Sequence, residues 1–156
     1  MINFKTANGI FNFRVAGILF NKNKVLVHRL LNDDFYAFPG GRVEMFEITE
    51  NTIVREMKEE LGINVTVNRL LWVCEHLFTH NDSKYHEICF YYFIECNDNN
   101  FLEKEDLFYI SEGSNEFEFR WVAVADIRDH VIYPTFIKDK IGDLPVNIEW
   151  IVDIDE

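Results

Sequence analysis

One segment, residues 41–63, constrains this chain more than any other: GRVEMFEITENTIVREMKEELGI. A proline and two glycines interrupt the chain at its start, and Gly62 stands where helices usually end in a left-handed residue. Between them, four apolar side chains recur at helical spacing and define one face: Ile53, Val54, Met57 and Leu61. The pattern predicts an amphipathic helix over residues 48–61, capped by Thr49, with its apolar face packed on a core.

Three carboxylates lie beside that apolar face. At about 100° per residue, Glu56, Glu59 and Glu60 fall within an arc of about 100°, roughly 120° from the centre of the apolar face. Like charges this close cost on the order of 1 kcal/mol per pair in water, and a hard divalent cation such as Mg²⁺ reverses that cost. Clustered glutamates on a helix are more often a solvated face, so the cluster alone leaves metal binding and solubility both open.

The rest of the chain alternates apolar runs, rich in β-branched and aromatic residues, with polar turns. Strands are predicted over residues 11–20, 24–29, 35–38, 65–78, 87–95, 117–124 and 146–152, with a turn at 97–100 and a helix from Pro134 to about residue 141. Mixed strands with two helices predict an α/β or α+β sandwich in which helices pack on a sheet. Because there is no internal repeat or linker, residues 1–156 are predicted to form a single domain.

Composition narrows the class of partner. A net charge of -12 without a basic run disfavours polymeric nucleic acid and anionic membranes, but it leaves room for a small phosphorylated substrate bridged by cations. The three cysteines, Cys74, Cys89 and Cys96, show no metal or redox spacing and are predicted to be reduced core thiols. There is no signal-like N-terminus and no apolar run long enough to span a membrane, so we expect a cytoplasmic protein.

The spacing within residues 41–63 fits one known pattern, the Nudix box G-x5-E-x7-R-E-U-x-E-E-x-G-U, where U is an aliphatic or similar residue. All nine fixed positions are filled, by Gly41, Glu47, Arg55, Glu56, Met57, Glu59, Glu60, Gly62 and Ile63. The strand that ends in Phe38-Pro39-Gly40-Gly41 and the Glu118-Phe119-Arg120-Trp121 segment are further points of likeness. The chain thus resembles the Nudix hydrolase family, which implies an α/β/α sandwich with a mixed β-sheet between helices.

The resemblance implies a set of site residues. In the family, the carboxylates that match Glu56, Glu59 and Glu60 bind divalent metals, and one of them helps to activate water. It implies Mg²⁺, with Mn²⁺ as the alternative, and further ligands from the backbone carbonyl of Gly41 and from a downstream glutamate, Glu118 or Glu116. For those two downstream glutamates, a solvated strand end is an equal alternative.

Other positions receive supporting roles. The resemblance implies that Glu47 pairs with Arg55 to position the helix. Arg29 and Arg42 are candidates for binding substrate phosphates by paired hydrogen bonds, and ordinary surface arginines are the alternative. Phe46 departs from the family, which often has glycine before the box glutamate, so its ring is expected to reshape the loop or line the substrate pocket.

The implied activity is metal-dependent hydrolysis of a diphosphate (pyrophosphate) linkage in a nucleoside diphosphate joined to another moiety, by water attack on phosphorus. The main alternative is a non-catalytic nucleotide-sensing module of the same fold, and the second is an isomerase with a reactive cysteine. Substrate markers are missing, because no proline occurs between Pro39 and Pro134, where ADP-ribose enzymes often have one. A homodimer is compatible with the sequence.

Overall fold

A computed structural model describes residues 1–155, and in this part of the chain it contains one sheet of nine strands with helices on both faces. The strands are β1 Asn3–Thr6, β2 Gly9–Asn21, β3 Lys24–Leu30, β4 Gly40–Arg42, β5 Val65–His80, β6 Ser83–Cys96, β7 Leu107–Glu112, β8 Asn115–Ala123 and β9 Glu149–Ile154. The helices are α1 Thr49–Leu61, α2 Asn99–Leu102 and α3 Phe136–Lys140, with a 3₁₀ helix over Val124–Asp129.

The sheet is mixed, as predicted. Its order is β7-β8-β3-β2-β6-β5-β9, with β1 and β4 also bonded to β2. The pairs β2–β6 and β5–β9 are parallel, and the remaining pairs are antiparallel. Strand β2 pairs with β3 at Phe20 and Asn21, whereas its earlier part, from Arg14 to Ala16, pairs with β4. The short strand β4 therefore delivers the start of the 41–63 segment to the middle of the sheet.

Two apolar layers lie on the two faces of the sheet, because successive side chains of a strand point to opposite sides. Helix α1 buries Ile53 and Met57 against one face, among residues such as Val15. Ile127 of the 3₁₀ helix and Ile137 of α3 pack on the opposite face. The predicted sandwich of helices around a mixed sheet is confirmed.

Helix α1 differs from its prediction at two residues. It begins at Thr49, its N-cap is Ile48 without a side-chain hydrogen bond, and the Thr49 hydroxyl instead lies 2.6 Å from the Tyr92 hydroxyl. Val54, predicted to point inward, is 37% exposed, and the residue fully buried beside Ile53 is Thr52. The predicted end is confirmed: Gly62 has φ 68° and its N–H donates to the Lys58 carbonyl.

Outside α1, the structure corrects several predicted boundaries. Residues 97–100 were predicted as a turn, but Asn99–Leu102 forms a short helix capped by the Asp98 side chain, which accepts from the Phe101 N–H. The stretch 35–38 makes two isolated bridges, through Tyr36 and Ala37, in place of a strand. Strands β1 and β7 escaped prediction, β9 begins three residues later than expected, and α3 begins two residues after Pro134. Short edge strands carry only a weak alternating pattern, so their bounds depend on hydrogen-bonded pairing with a neighbouring strand.

Cys74 and Cys89 are buried and Cys96 is half-buried, and all three are free thiols. Within residues 1–155, every helix is too short or too polar to cross a bilayer.

Candidate active site

The anchor of the site is a paired hydrogen bond between the loop before α1 and the helix itself. The Arg55 guanidinium donates from Nε to Glu47 Oε2 at 2.7 Å and from Nη2 to Glu47 Oε1 at 2.9 Å. The Thr52 hydroxyl and the Glu44 N–H also donate to that carboxylate. These bonds, above all those from Arg55, lower the pKa of Glu47 to about 2, so the pair stays charged at neutral pH.

The same guanidinium reaches two carboxylates of the helix. Arg55 Nη1 lies 2.9 Å from Glu56 Oε1 and 3.2 Å from Glu59 Oε2, while Nη2 also donates to the Arg42 carbonyl at 3.2 Å. One arginine therefore fixes the loop, strand β4 and two of the three predicted metal-binding glutamates. A planar fork with five N–H donors is suited to this task, which a lysine ammonium could not perform in the same geometry.

Gly41 is in close contact with the Glu56 side chain. A Cβ added at Gly41 would overlap the Glu56 carboxyl group, because this glycine of β4 faces α1. Any side chain there would displace the carboxylate. The glycine at this position is therefore required by the approach of Glu56 to the backbone.

Glu60 lies in an unusual electrostatic environment. Its Oε2 is buried and has no hydrogen-bond partner among the described residues. Burial first, and then the charge of Glu56, raise the pKa of Glu60 to about 8, although Arg14 opposes the shift. Burial likewise raises the pKa of Glu56, against the effect of Arg55. The third carboxylate, Glu59, is 57% exposed at its side chain.

These features fit a bound divalent cation. A buried carboxylate oxygen without a donor is costly, and a cation would supply the missing partner and favour the ionised form of Glu60. The neighbouring Glu56 is held against a glycine backbone whose carbonyl is a further oxygen donor. Oxygen-only donors are those that Mg²⁺ and Mn²⁺ prefer. Glu56, Glu59, Glu60 and the Gly41 carbonyl form a donor set of the right chemistry.

The structure places Glu118 in a different network. Arg29 donates to both of its carboxylate oxygens at 3.2 Å, the Tyr36 hydroxyl also donates to it, and Arg120 lies 3.8 Å away. Although burial opposes the shift, the bonds from Tyr36 and Arg29 lower the pKa of Glu118. Two predicted site residues, Arg29 and Glu118, are thus paired with each other, and Glu116 is exposed.

The predicted phosphate ligand Arg42 is half-buried next to the chain start, where its Nη1 lies 3.1 Å from the Met1 sulfur.

The sequence did not predict a role for a further arginine, Arg14. Arg14 lies opposite Arg42 in the β2–β4 register, and its positive charge acts on both Glu56 and Glu60. Its signal in the sequence was a lone charge inside the apolar run of residues 11–20.

Phe46 occupies a backbone conformation that favours glycine. Its φ is 65°, and its side chain is fully exposed. The frequent glycine of the family at this position has a physical reason here, because the loop turns through a left-handed residue just before Glu47.

Known proteins resemble this chain in sequence and in fold. The sequence profile of the NUDIX domain matches residues 11–140. An ADP-ribose pyrophosphatase of Methanocaldococcus jannaschii is 44% identical over 62 residues, 38% of this chain and 37% of that protein. An 8-oxo-dGTP diphosphatase of Proteus vulgaris is 38% identical over 68 residues, 40% of this chain and 61% of that protein. This chain therefore spans less than two thirds of either relative. A solved structure of a NUDIX hydrolase from Nitrosomonas europaea superposes with a TM-score of 0.63 at 17% identity, over 97% of this chain and 82% of that one.

Proposed function

Because this chain belongs to the Nudix family, we propose that it is a hydrolase that cleaves the diphosphate linkage of a nucleoside diphosphate joined to another moiety. Water attacks one phosphorus, and two phosphorylated products leave. The activities named for its two relatives, on ADP-ribose and on 8-oxo-dGTP, support a substrate of this class.

One observation carries the proposal: a buried, unpartnered oxygen of Glu60 lies beside a second carboxylate that is pressed against the Gly41 backbone. A solvated helix face, which was the competing explanation of the glutamates, would leave them exposed and hydrated. A sensing module would not require all three of these carboxylates. The arrangement therefore favours catalysis.

Each residue of the site has a separate task. When bound, Mg²⁺ would neutralise diphosphate charge and acidify a water molecule. Glu56, Glu59 and Glu60 hold the cation, and one of them accepts the proton of the attacking water. Arg55 orients Glu56 and Glu59, and Glu47 orients Arg55.

Substrate phosphates need a positively charged partner. Arg14 and Arg42 are register partners on neighbouring strands, and the charge of Arg14 acts on Glu56 and Glu60. We assign both arginines to the phosphates. Arg29 and Glu118 keep their predicted roles only if a substrate or cation separates the pair that they form with each other.

The finer parts of the proposal are Mg²⁺ as the cation, with Mn²⁺ able to replace it, a single domain, a cytoplasmic location and compatibility with a homodimer. Burial raises the pKa of Cys74 to about 12, so this thiol stays protonated and unreactive, which disfavours the isomerase alternative.

The test is turnover of a substrate panel with Mg²⁺: ADP-ribose, 8-oxo-dGTP, nucleoside triphosphates, nucleotide sugars and dinucleoside polyphosphates. Glu59→Gln and Glu60→Gln should each lower kcat at least a hundredfold, because each removes a cation-binding charge without changing the shape of the side chain. Glu50→Gln, an exposed glutamate in the first turn of the same helix, is the matched control and should leave kcat unchanged.

Metal-dependent nucleotide binding without turnover would replace the proposal by the sensing module. If turnover persists in both variants, the carboxylates of α1 are not the catalytic ones. Activity that disappears with EDTA and returns with Mg²⁺ or Mn²⁺ tests the cation directly.

A further inference from the structure

A second group of metal-binding side chains lies on strands β5 and β9 and just beyond β9, and it shares no residue with the α1 site. His76, Asp153 and Asp155 each offer one ligand atom, and these atoms all lie within 4.8 Å of one another. His76 Nε2 is 2.9 Å from Asp155 Oδ2 and 3.6 Å from Asp153 Oδ2. The parallel pairing of the two strands produces the cluster, since His76 and Asp153 are register partners.

In this cluster His76 is buried, at 7% exposed, whereas Asp153 and Asp155 are half-buried. The Asp153 Oδ2 atom is buried and has no hydrogen-bond partner among residues 1–155. On the other side of the imidazole, Glu87 Oε2 lies 4.0 Å from His76 Nδ1. Glu87 is itself only 6% exposed, and its nearest cation, Arg14, is 3.9 Å away, beyond hydrogen-bond distance.

Three carboxylates lie around one imidazole, with one arginine at their edge, so carboxylates outnumber cationic groups in this partly buried region of the described residues. Such an excess of negative charge is costly unless a cation neutralises it. Two carboxylate oxygens lie at one ring nitrogen of His76, which is the side from which a cation would be bound.

We propose that His76, Asp153 and Asp155 bind a divalent transition-metal cation of the Zn²⁺ or Co²⁺ class. An imidazole nitrogen suits these ions, whereas Mg²⁺ prefers oxygen ligands throughout. The bound ion joins the edge strand β9 to β5, so its role is structural and independent of the proposed hydrolysis.

The test uses Co²⁺ as the probe. Its binding is measured by calorimetry and by the visible absorption of the bound ion. The first sample is the Glu56→Gln, Glu59→Gln, Glu60→Gln triple variant, which lacks the carboxylates of α1. It should bind one Co²⁺ per chain and show a raised Tm with the ion, because a ligand of the folded state stabilises it. Wild-type protein with Mg²⁺ in large excess provides the same measurement if the triple variant does not fold.

Asp153→Asn and Asp155→Asn keep the shape of each side chain, and each should weaken Co²⁺ binding at least tenfold and abolish the rise in Tm. The matched control is Glu75→Gln, a carboxylate adjacent to His76 on β5 that points to the opposite face of the sheet and should bind as the parent does. No Co²⁺ uptake in either sample, or uptake that both aspartate variants leave unchanged, overturns the proposal.

Discussion

His28 shows how one buried residue makes the stability of this protein depend on pH. It lies in β3 among aromatic rings, with Phe117 at 5.7 Å and Phe119 at 5.2 Å between ring centroids, and its Nδ1 has no hydrogen-bond partner among the described residues. Burial first, and then the charge of Arg14, lower the pKa of His28 to about 3. The imidazole therefore stays neutral in the folded protein from neutral pH down to about pH 3, a range in which the unfolded chain would protonate it.

Lowering the pH should thus destabilise the fold through His28. The unfolded state takes up a proton below pH 6.5, the ordinary histidine value, and the folded state does not until about pH 3. Between pH 7 and pH 5 the loss should be on the order of 2 kcal/mol in the free energy of unfolding. In urea denaturation, the free energy of unfolding of His28→Phe relative to wild type should rise by that amount from pH 7 to pH 5, whereas that of the exposed His80→Gln relative to wild type should not change between these pH values. Equal slopes for His28→Phe and wild type would contradict the assignment.

Phe46 offers a test of backbone strain. With φ at 65° and a fully exposed ring, it gains little from packing and loses conformational energy. Phe46→Gly should be more stable than Phe46→Ala by about 1 kcal/mol, because both remove the ring but only glycine accepts a left-handed backbone freely. Denaturant midpoints of the two variants measure the difference. Equal midpoints would show that the loop relaxes without cost.

At the scale of elements, the position of α1 relative to β4 depends on one arginine. Arg55 bonds the loop through Glu47, the strand through the Arg42 carbonyl, and its own helix through Glu56 and Glu59. Packing of its apolar face holds this 13-residue helix on the sheet. This hydrogen-bonded junction sets where its carboxylates point.

Arg55→Lys should therefore reduce both activity and stability. Lysine keeps the charge but cannot bond Glu47 and Glu56 at the same time, so kcat should fall roughly tenfold or more while the free energy of unfolding falls by about 1–2 kcal/mol. Lys58→Arg, an exposed exchange on the same helix, should change neither. Full activity in Arg55→Lys would mean that the fork is not needed for positioning.

The end of α1 allows a direct test of the left-handed cap, because two glycines of this chain differ in whether their backbone is left-handed. Gly62 has φ 68° and open space where a Cβ would lie, whereas Gly142 lies outside the left-handed region and a Cβ there would meet its nearest atom at an ordinary 3.8 Å. Gly62→Ala should cost about 1 kcal/mol and Gly142→Ala close to nothing. Thermal or urea unfolding compares them, and equal costs would refute the role of Gly62 as a left-handed cap.

At the scale of the molecule, both apolar layers share one sheet. Trp72 belongs to the layer beneath α3, and Trp121 to the layer beneath α1. If the chain is one domain, as we propose, the two layers should unfold together, because both pack on the same sheet. With the third tryptophan, Trp150, replaced by Phe in both variants, the fluorescence of Trp72→Phe and of Trp121→Phe reports opposite faces. Each fluorescence transition should coincide with the loss of circular dichroism of the same variant. Separate fluorescence and circular dichroism midpoints would indicate two cooperative units.

The resemblance to the family implied the mixed sheet. The family itself, the helix that carries the glutamates and the end of that helix at Gly62 could be predicted from the residues. These follow from local chemistry: apolar spacing defines a helix face, a left-handed cap requires glycine, and the fixed spacing of the box admits few alternatives. The resemblance also implied the partnership of Glu47 with Arg55, which lie close enough along the chain to meet at the start of one helix.

The contacts between residues far apart in the sequence depend on how the strands pair. Arg29 and Glu118 are 89 positions apart, and the pairing of β3 with β8 brings them into one network. Arg14 lies near the glutamates because β4 joins β2, and His76 meets Asp153 because β9 runs parallel to β5. Short edge strands such as β9 carry little local pattern, and their register sets contacts that no sequence periodicity encodes.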